Sequence, residues 1–90
     1  MSCSVQIPSP LRWHTNGASV VKAKGERVEE ILRDLKSQYP GLGERLFDGK
    51  GRIRNQVNIF LNAQDIQRLQ GIQTNVREGD VLTLLPARAS

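Results

Sequence analysis

The chain predicts an α+β fold in which one main helix packs across a small mixed sheet, in the order β-β-α-β-β. Three observations carry this. Apolar residues alternate near the start, a single helical stripe occupies the middle, and two further alternating segments fill the second half.

Each element has its own signal. Cys3, Val5 and Ile7 alternate with Ser4 and Gln6, and Pro8 and Pro10 end that first strand. Asn16-Gly17 is a turn signal because both residues tolerate positive φ, and Ser19 to Lys24 follows as the second strand. The connection from Pro8 to Gly17 is too long for a tight hairpin. Val28, Ile31, Leu32 and Leu35 fall on one stripe of a helix expected over Glu26 to Gln38, with Glu26, Glu29 and Glu30 near its positive end. Tyr39-Pro40-Gly41 closes it, since proline restricts the preceding residue. Leu42 to Phe47 suggests one helical turn, and Asp48-Gly49-Lys50-Gly51 a turn. Val57, Ile59 and Leu61 alternate with Asn58, Phe60 and Asn62 as the clearest strand. Asp65 to Ile72 is an irregular connection. Arg77 to Asp80 turns into the last strand, where Leu82 and Leu84 face the core and Thr83 and Leu85 face outward.

Length and composition limit what such a chain does. Ninety residues predict one domain over residues 1–86 and a short free tail over residues 87–90. A single cysteine, Cys3, excludes an internal disulfide, and with one histidine, His14, it makes no closed zinc site. No metal or other cofactor is expected. No apolar run approaches the roughly 20 residues that cross a bilayer, so no membrane is expected and the cytoplasm is the default location. A formal charge of +4 and a pI near 9.8 call for an acidic partner. Nucleic acid fits poorly, because single-strand readers stack bases on aromatic platforms and Trp13, Tyr39, Phe47 and Phe60 are scattered.

Few residues suggest chemistry of their own. Cys3 sits on the apolar face of a strand and is expected in the core. His14 has no carboxylate or cysteine near it and is expected exposed in the hairpin loop. Asp65, Glu78 and Asp80 fit turn and capping roles, and no serine has a visible base partner, so no autonomous enzyme is expected. Binding has better candidates. Phe60 and Leu85 point outward if their neighbours point inward, and either a local loop or a partner covers them. Arg52, Arg54 and Arg88 form a possible basic rim that steers association with an acidic surface.

At this point a resemblance covers most of the chain. Val5 to Arg12, Tyr39 to Leu42, Glu44 to Leu46, Val57 to Asn62, Asp65-Ile66, Gly79-Asp80 and Leu85-Pro86-Ala87 resemble, in order and spacing, the ThiS/MoaD family of ubiquitin-like sulfur carriers. The similarity is to the branch that serves cysteine biosynthesis. It implies a β-grasp fold, an adenylating partner of the ubiquitin-activating type and a sulfur acceptor such as a cysteine synthase. It also implies that the tail, here Ala87, Arg88, Ala89 and Ser90, is the transfer site, with Phe60, Leu85 and Pro86 beside it as docking positions.

The tail departs from the family pattern. Such carriers end in Gly-Gly, which lacks Cβ atoms and passes narrow openings in conformations other residues avoid. This chain ends Ala89-Ser90 and contains no Gly-Gly pair. Two readings therefore stand: a carrier whose carboxylate is activated by its partner, or a non-carrying β-grasp interaction module.

Overall fold

The computed structural model describes residues 2–54 and 57–86. Five strands form one sheet: β1 (Ser2–Gln6), β2 (Val20–Lys24), β3 (Val57–Leu61), β4 (Gln64–Asp65) and β5 (Val81–Pro86). Their spatial order is β2-β1-β5-β3-β4. The first and last strands lie side by side and parallel, with Val5 opposite Leu82, while the other pairs are antiparallel. This is the expected β-grasp arrangement. It puts β5, the strand that leads to the chain end, in the middle of the sheet.

Helix α1 (Val28–Gln38) crosses one face of the sheet and α2 (Pro40–Leu46) follows it directly. The predicted stripe of Val28, Ile31, Leu32 and Leu35 is fully buried, and it meets Val5, Ile7, Ile59, Leu82 and Leu84 from the sheet. At about 1.5–3 kcal/mol for each large apolar side chain removed from water, this layer is the main source of stability. Cys3 belongs to it, as expected. Polar contacts fix the helix along the sheet. The Asp34 carboxylate accepts from the Lys24 N–H at 2.8 Å, and Gln38 Nε2 donates to the Lys22 carbonyl at 3.1 Å. Both backbone groups belong to the edge strand β2, so helix side chains cover part of an edge otherwise open to another strand.

Several expectations need correction. The hairpin loop is a 3-10 helix, Ser9–Thr15, with proline in its first turn, and Asn16 and Gly17 end it at φ of 57° and 86°. Its buried Thr15 hydroxyl lies 2.9 Å from the Arg12 carbonyl and 2.8 Å from that of Ala18. Arg12 Nε donates to the Ile7 carbonyl, which ties the loop to the end of β1. Helix α1 begins at Val28 and not Glu26, because Arg27 is extended. The Val76 N–H donates to the Glu26 carbonyl, and Arg27 bridges Asn75. The expected single turn after Tyr39 is the seven-residue α2, for which Pro40 serves as a first-turn residue. The connection after Leu61 holds the fifth strand, β4, which pairs back on β3 across Asn62-Ala63 with Asn62 at a φ of 56°.

Gly43 lies where the two helices touch. A Cβ there would come within 2.9 Å of the Lys36 Cβ and 3.2 Å of its Cα. Ala is normally favoured over Gly inside a helix by about 1 kcal/mol. Here the collision reverses the sign, and Gly43→Val is expected to lower stability by about 1–3 kcal/mol through overpacking. Gly49, around which a Cβ meets nothing, serves as the control, with Gly49→Ala within about 0.5 kcal/mol of wild type. Urea denaturation of both variants checks this, and equal midpoints would remove the helix contact from the account.

Candidate functional site

Strand β5 ends at Pro86 between two surfaces. On the outer face of the sheet, Val20, Gln6, Thr83, Phe60 and Asp65 form one cross-strand row running over all five strands. Leu85 stands two residues further along β5, opposite Asn58. Val20 and Leu85 are 51% and 42% exposed, unusually high for apolar residues in strands, and Phe60 is half-buried. A shallow cleft of about 310 Å³ joins Val20 to Leu85 past Gln6, Pro8 and Thr83. Phe60 and Leu85 thus point outward as the alternation predicts. Neither is covered by a loop completely enough to be buried.

Pro86, one residue beyond Leu85, takes the opposite side. It pairs with Val57 and lines a wider groove of about 880 Å³ together with Trp13, His14, Arg45, Phe47 and Arg54. The Trp13 ring stacks on His14, centroids 4.3 Å apart and tilted by 35°, yet is 72% exposed. His14 corrects the expectation of an exposed loop histidine. It is half-buried, its ring packs where Gly41 leaves room, and its shielded Nε2 has no hydrogen-bond partner among the described residues. Lys36 Nζ sits 5.7 Å from the centre of the Phe47 ring, a cation over an aromatic face.

The turn after Phe47 holds the basic residues in place. Asp48 Oδ1 accepts from the backbone N–H of Lys50 at 2.8 Å and of Arg52 at 3.0 Å, and the Asp48 N–H donates to the Arg52 carbonyl at 2.7 Å. These backbone N–H donors, foremost that of Arg52, hold the Asp48 carboxyl below its usual value. Arg54 Nε donates to the Glu44 carbonyl at 2.9 Å, which anchors the far side of the turn to α2. Arg52 and Arg54 are both exposed. Arg54 faces the groove, whereas Arg52 lines neither surface.

The residues singled out from the sequence therefore divide. Phe60 and Leu85 share the sheet face, Pro86 and Arg54 share the groove, and the expected transfer tail of Ala87, Arg88, Ala89 and Ser90 lies outside the described residues. Two exposed positions escaped sequence reasoning. Val20 had a signal, since Val21 and Ala23 point inward and place Val20 on the outer face. Trp13 had a weaker one, the prolines that start its 3-10 helix.

Little else offers chemistry. Burial first, and then the charges of Asp80 and Glu78, push the Cys3 thiol up to about 11, which keeps it protonated and unreactive near neutral pH. Asp65 caps a 3-10 turn by accepting from the Gln67 N–H. Asp80 accepts from the Arg77 N–H, and Glu78 accepts from the N–H and hydroxyl of Ser2. Among the described residues no cluster of potential metal ligands exists, and no helix is long and apolar enough to cross a membrane.

Comparison with known proteins gives a consistent result. The family model described as the ThiS family matches residues 5–89. The sulfur carrier protein CysO of Mycobacterium tuberculosis is 38% identical over 91 residues, spanning 99% of this chain and 98% of the relative. The crystal structure of that CysO superposes with a TM-score of 0.88, covering 96% of this chain and 99% of the other. A BexX/CysO complex from Amycolatopsis orientalis contains a chain with a TM-score of 0.88, 38% identity and 98% coverage of each.

The Asp48 turn generates a prediction on pH. A carboxylate whose folded value is lowered adds stability that is present above its unfolded pKa, about 3.9, and is lost as pH falls through the folded value. Asp48→Asn keeps an oxygen acceptor and removes the charge. Its urea midpoint is expected to lie below wild type at neutral pH and to fall less steeply from about pH 5 to about pH 2. Parallel curves for the two proteins would show that the Asp48 charge does not hold this turn.

Proposed function

Because the chain belongs to the ThiS family, we propose that it works as a small sulfur carrier, a protein substrate and not itself a catalyst, whose C-terminal carboxylate is activated by an adenylating enzyme. The support is positional. β5 runs through the centre of the sheet and reaches Pro86 beside apolar side chains that the fold leaves exposed. A carrier needs this combination, because the surface docks while only the last residues enter the partner's active site.

The chemistry balances without any side chain of this protein. A carboxylate oxygen of Ser90 attacks the α-phosphorus of ATP, pyrophosphate leaves, and an acyl-adenylate forms. Hydrosulfide from a sulfur donor then attacks the carbonyl carbon, and AMP departs with the former tail oxygen, leaving a thiocarboxylate and a proton. An acceptor enzyme of the cysteine synthase type would take the sulfur onward, in the cytoplasm. Phe60 and Leu85 form the docking face, with Pro86 setting where the tail begins. Arg52, Arg54 and Arg88 add positive charge that speeds encounter with an acidic surface.

These 90 residues contain no Gly-Gly pair, which favours a second reading, a β-grasp module that binds such partners without carrying sulfur. Intact-mass analysis separates the two. After incubation with ATP, the activating enzyme and a sulfide donor, a carrier gains about 16 Da as sulfur replaces oxygen. Phe60→Ala with Leu85→Ala is expected to cut the yield at limiting enzyme at least tenfold, while circular dichroism stays unchanged. An unchanged mass beside retained enzyme binding would favour the module, and loss of both would remove the carrier reading.

A further inference from the structure

We propose that the Trp13 groove is a second docking site, which receives an acidic segment of the activating enzyme on the side of the chain end opposite Phe60 and Leu85. This rests on the carrier reading and adds to it a surface and the chemistry of its occupant.

Charge distribution is the first argument. The stretch from Lys36 to Arg54 holds five cations, Lys36, Arg45, Lys50, Arg52 and Arg54, against two carboxylates, Glu44 and Asp48. It therefore carries +3 of the chain's formal +4. Asp48 accepts from backbone N–H groups of its own turn and keeps its charge near Arg52 and Arg54. Lys36, Arg45 and Arg54 line the groove together with Glu44 and Asp48, and among the described residues none of the three cations forms an ion pair. An anionic occupant thus meets a lining with one cation in excess, inside a stretch of +3, without first breaking any salt bridge.

Shape and exposure are the second. Leu11, Phe47, Val57 and Pro86 give the groove an apolar floor, and Trp13 stands over it 72% exposed. A tryptophan left in water beside a concave apolar surface is the kind of residue that dominates interface energetics once a partner covers it. The stacked His14, wedged against Gly41, holds the Trp13 ring in place. An acidic segment with one apolar side chain satisfies both features, the side chain against Trp13 and the carboxylates against the rim. Continuity is the third argument. Leu85 and Pro86 are adjacent on one strand and face opposite sides, so an enzyme that grips the tail at Pro86 meets both surfaces at once.

Trp13 is the only tryptophan, so chain made with 5-fluorotryptophan gives one fluorine resonance from the groove itself. Titrating unlabelled activating enzyme into the labelled wild-type protein is expected to shift or broaden that resonance. Arg45→Glu with Arg54→Glu is expected to weaken binding at least tenfold and to flatten its dependence on salt, as loss of charge pairing requires. If Phe60→Ala with Leu85→Ala abolishes binding while the resonance stays still and the charge-reversed protein binds like wild type, the groove proposal falls and the carrier reading survives. If wild type does not bind the enzyme at all, both fall. A resonance that moves with the protein's own concentration in the absence of enzyme assigns the groove to a second copy, and one that moves only with single-stranded oligothymidine assigns it to nucleic acid; either overturns the proposal.

Discussion

The parallel pairing of β1 with β5 is the constraint on which the rest of this molecule depends. A parallel neighbour cannot be reached by a tight turn, so the chain travels through two α-helices and three more strands before Leu82 lies beside Val5. Once that pair closes, the two most distant parts of the sequence form the middle of the sheet. Val5, Leu82 and Leu84, each at most 1% exposed, become the centre of the core. The N-terminal Ser2 is held by Glu78 just before β5, which pins the same junction from its other end. Such non-local pairing is slow to form and insensitive to local fraying. It makes β5 the middle strand of the five.

That placement explains why two exposed surfaces meet at the end of β5. Strand alternation sends Leu84 into the core, Leu85 out to the sheet face and Pro86 back toward the helices. A single strand end therefore serves two surfaces of different chemistry. The outer face is apolar and nearly neutral near the tail, with Val20, Phe60 and Leu85 set among Gln6 and Thr83. The groove is aromatic, and its cations Lys36, Arg45 and Arg54 outnumber its carboxylates Glu44 and Asp48 by one. Apolar anchors supply affinity, whereas charges at a rim mainly govern encounter rate and orientation. One strand end thus borders both an apolar sheet face and a charged, aromatic groove.

Much of this was legible in the sequence because it depends on periodicity. The helix stripe, the alternation in β1, β3 and β5, the outward direction of Phe60 and Leu85 and the turn roles of Asp65, Glu78 and Asp80 follow from spacing and local geometry. Features that escaped depend on tertiary contact or on weak signals. β4 turns on Asn62 without a glycine and is secured by the Asn62 side chain accepting from the Val81 N–H, a partner 19 residues away in sequence. α2 hid behind Pro40, which both stops one helix and starts the next. His14 looked like an exposed loop residue because no carboxylate or cysteine lies near it in sequence, and it packs against its neighbour Trp13 and against the distant Gly41. The groove itself is assembled from five separate segments, so no window of sequence contains it.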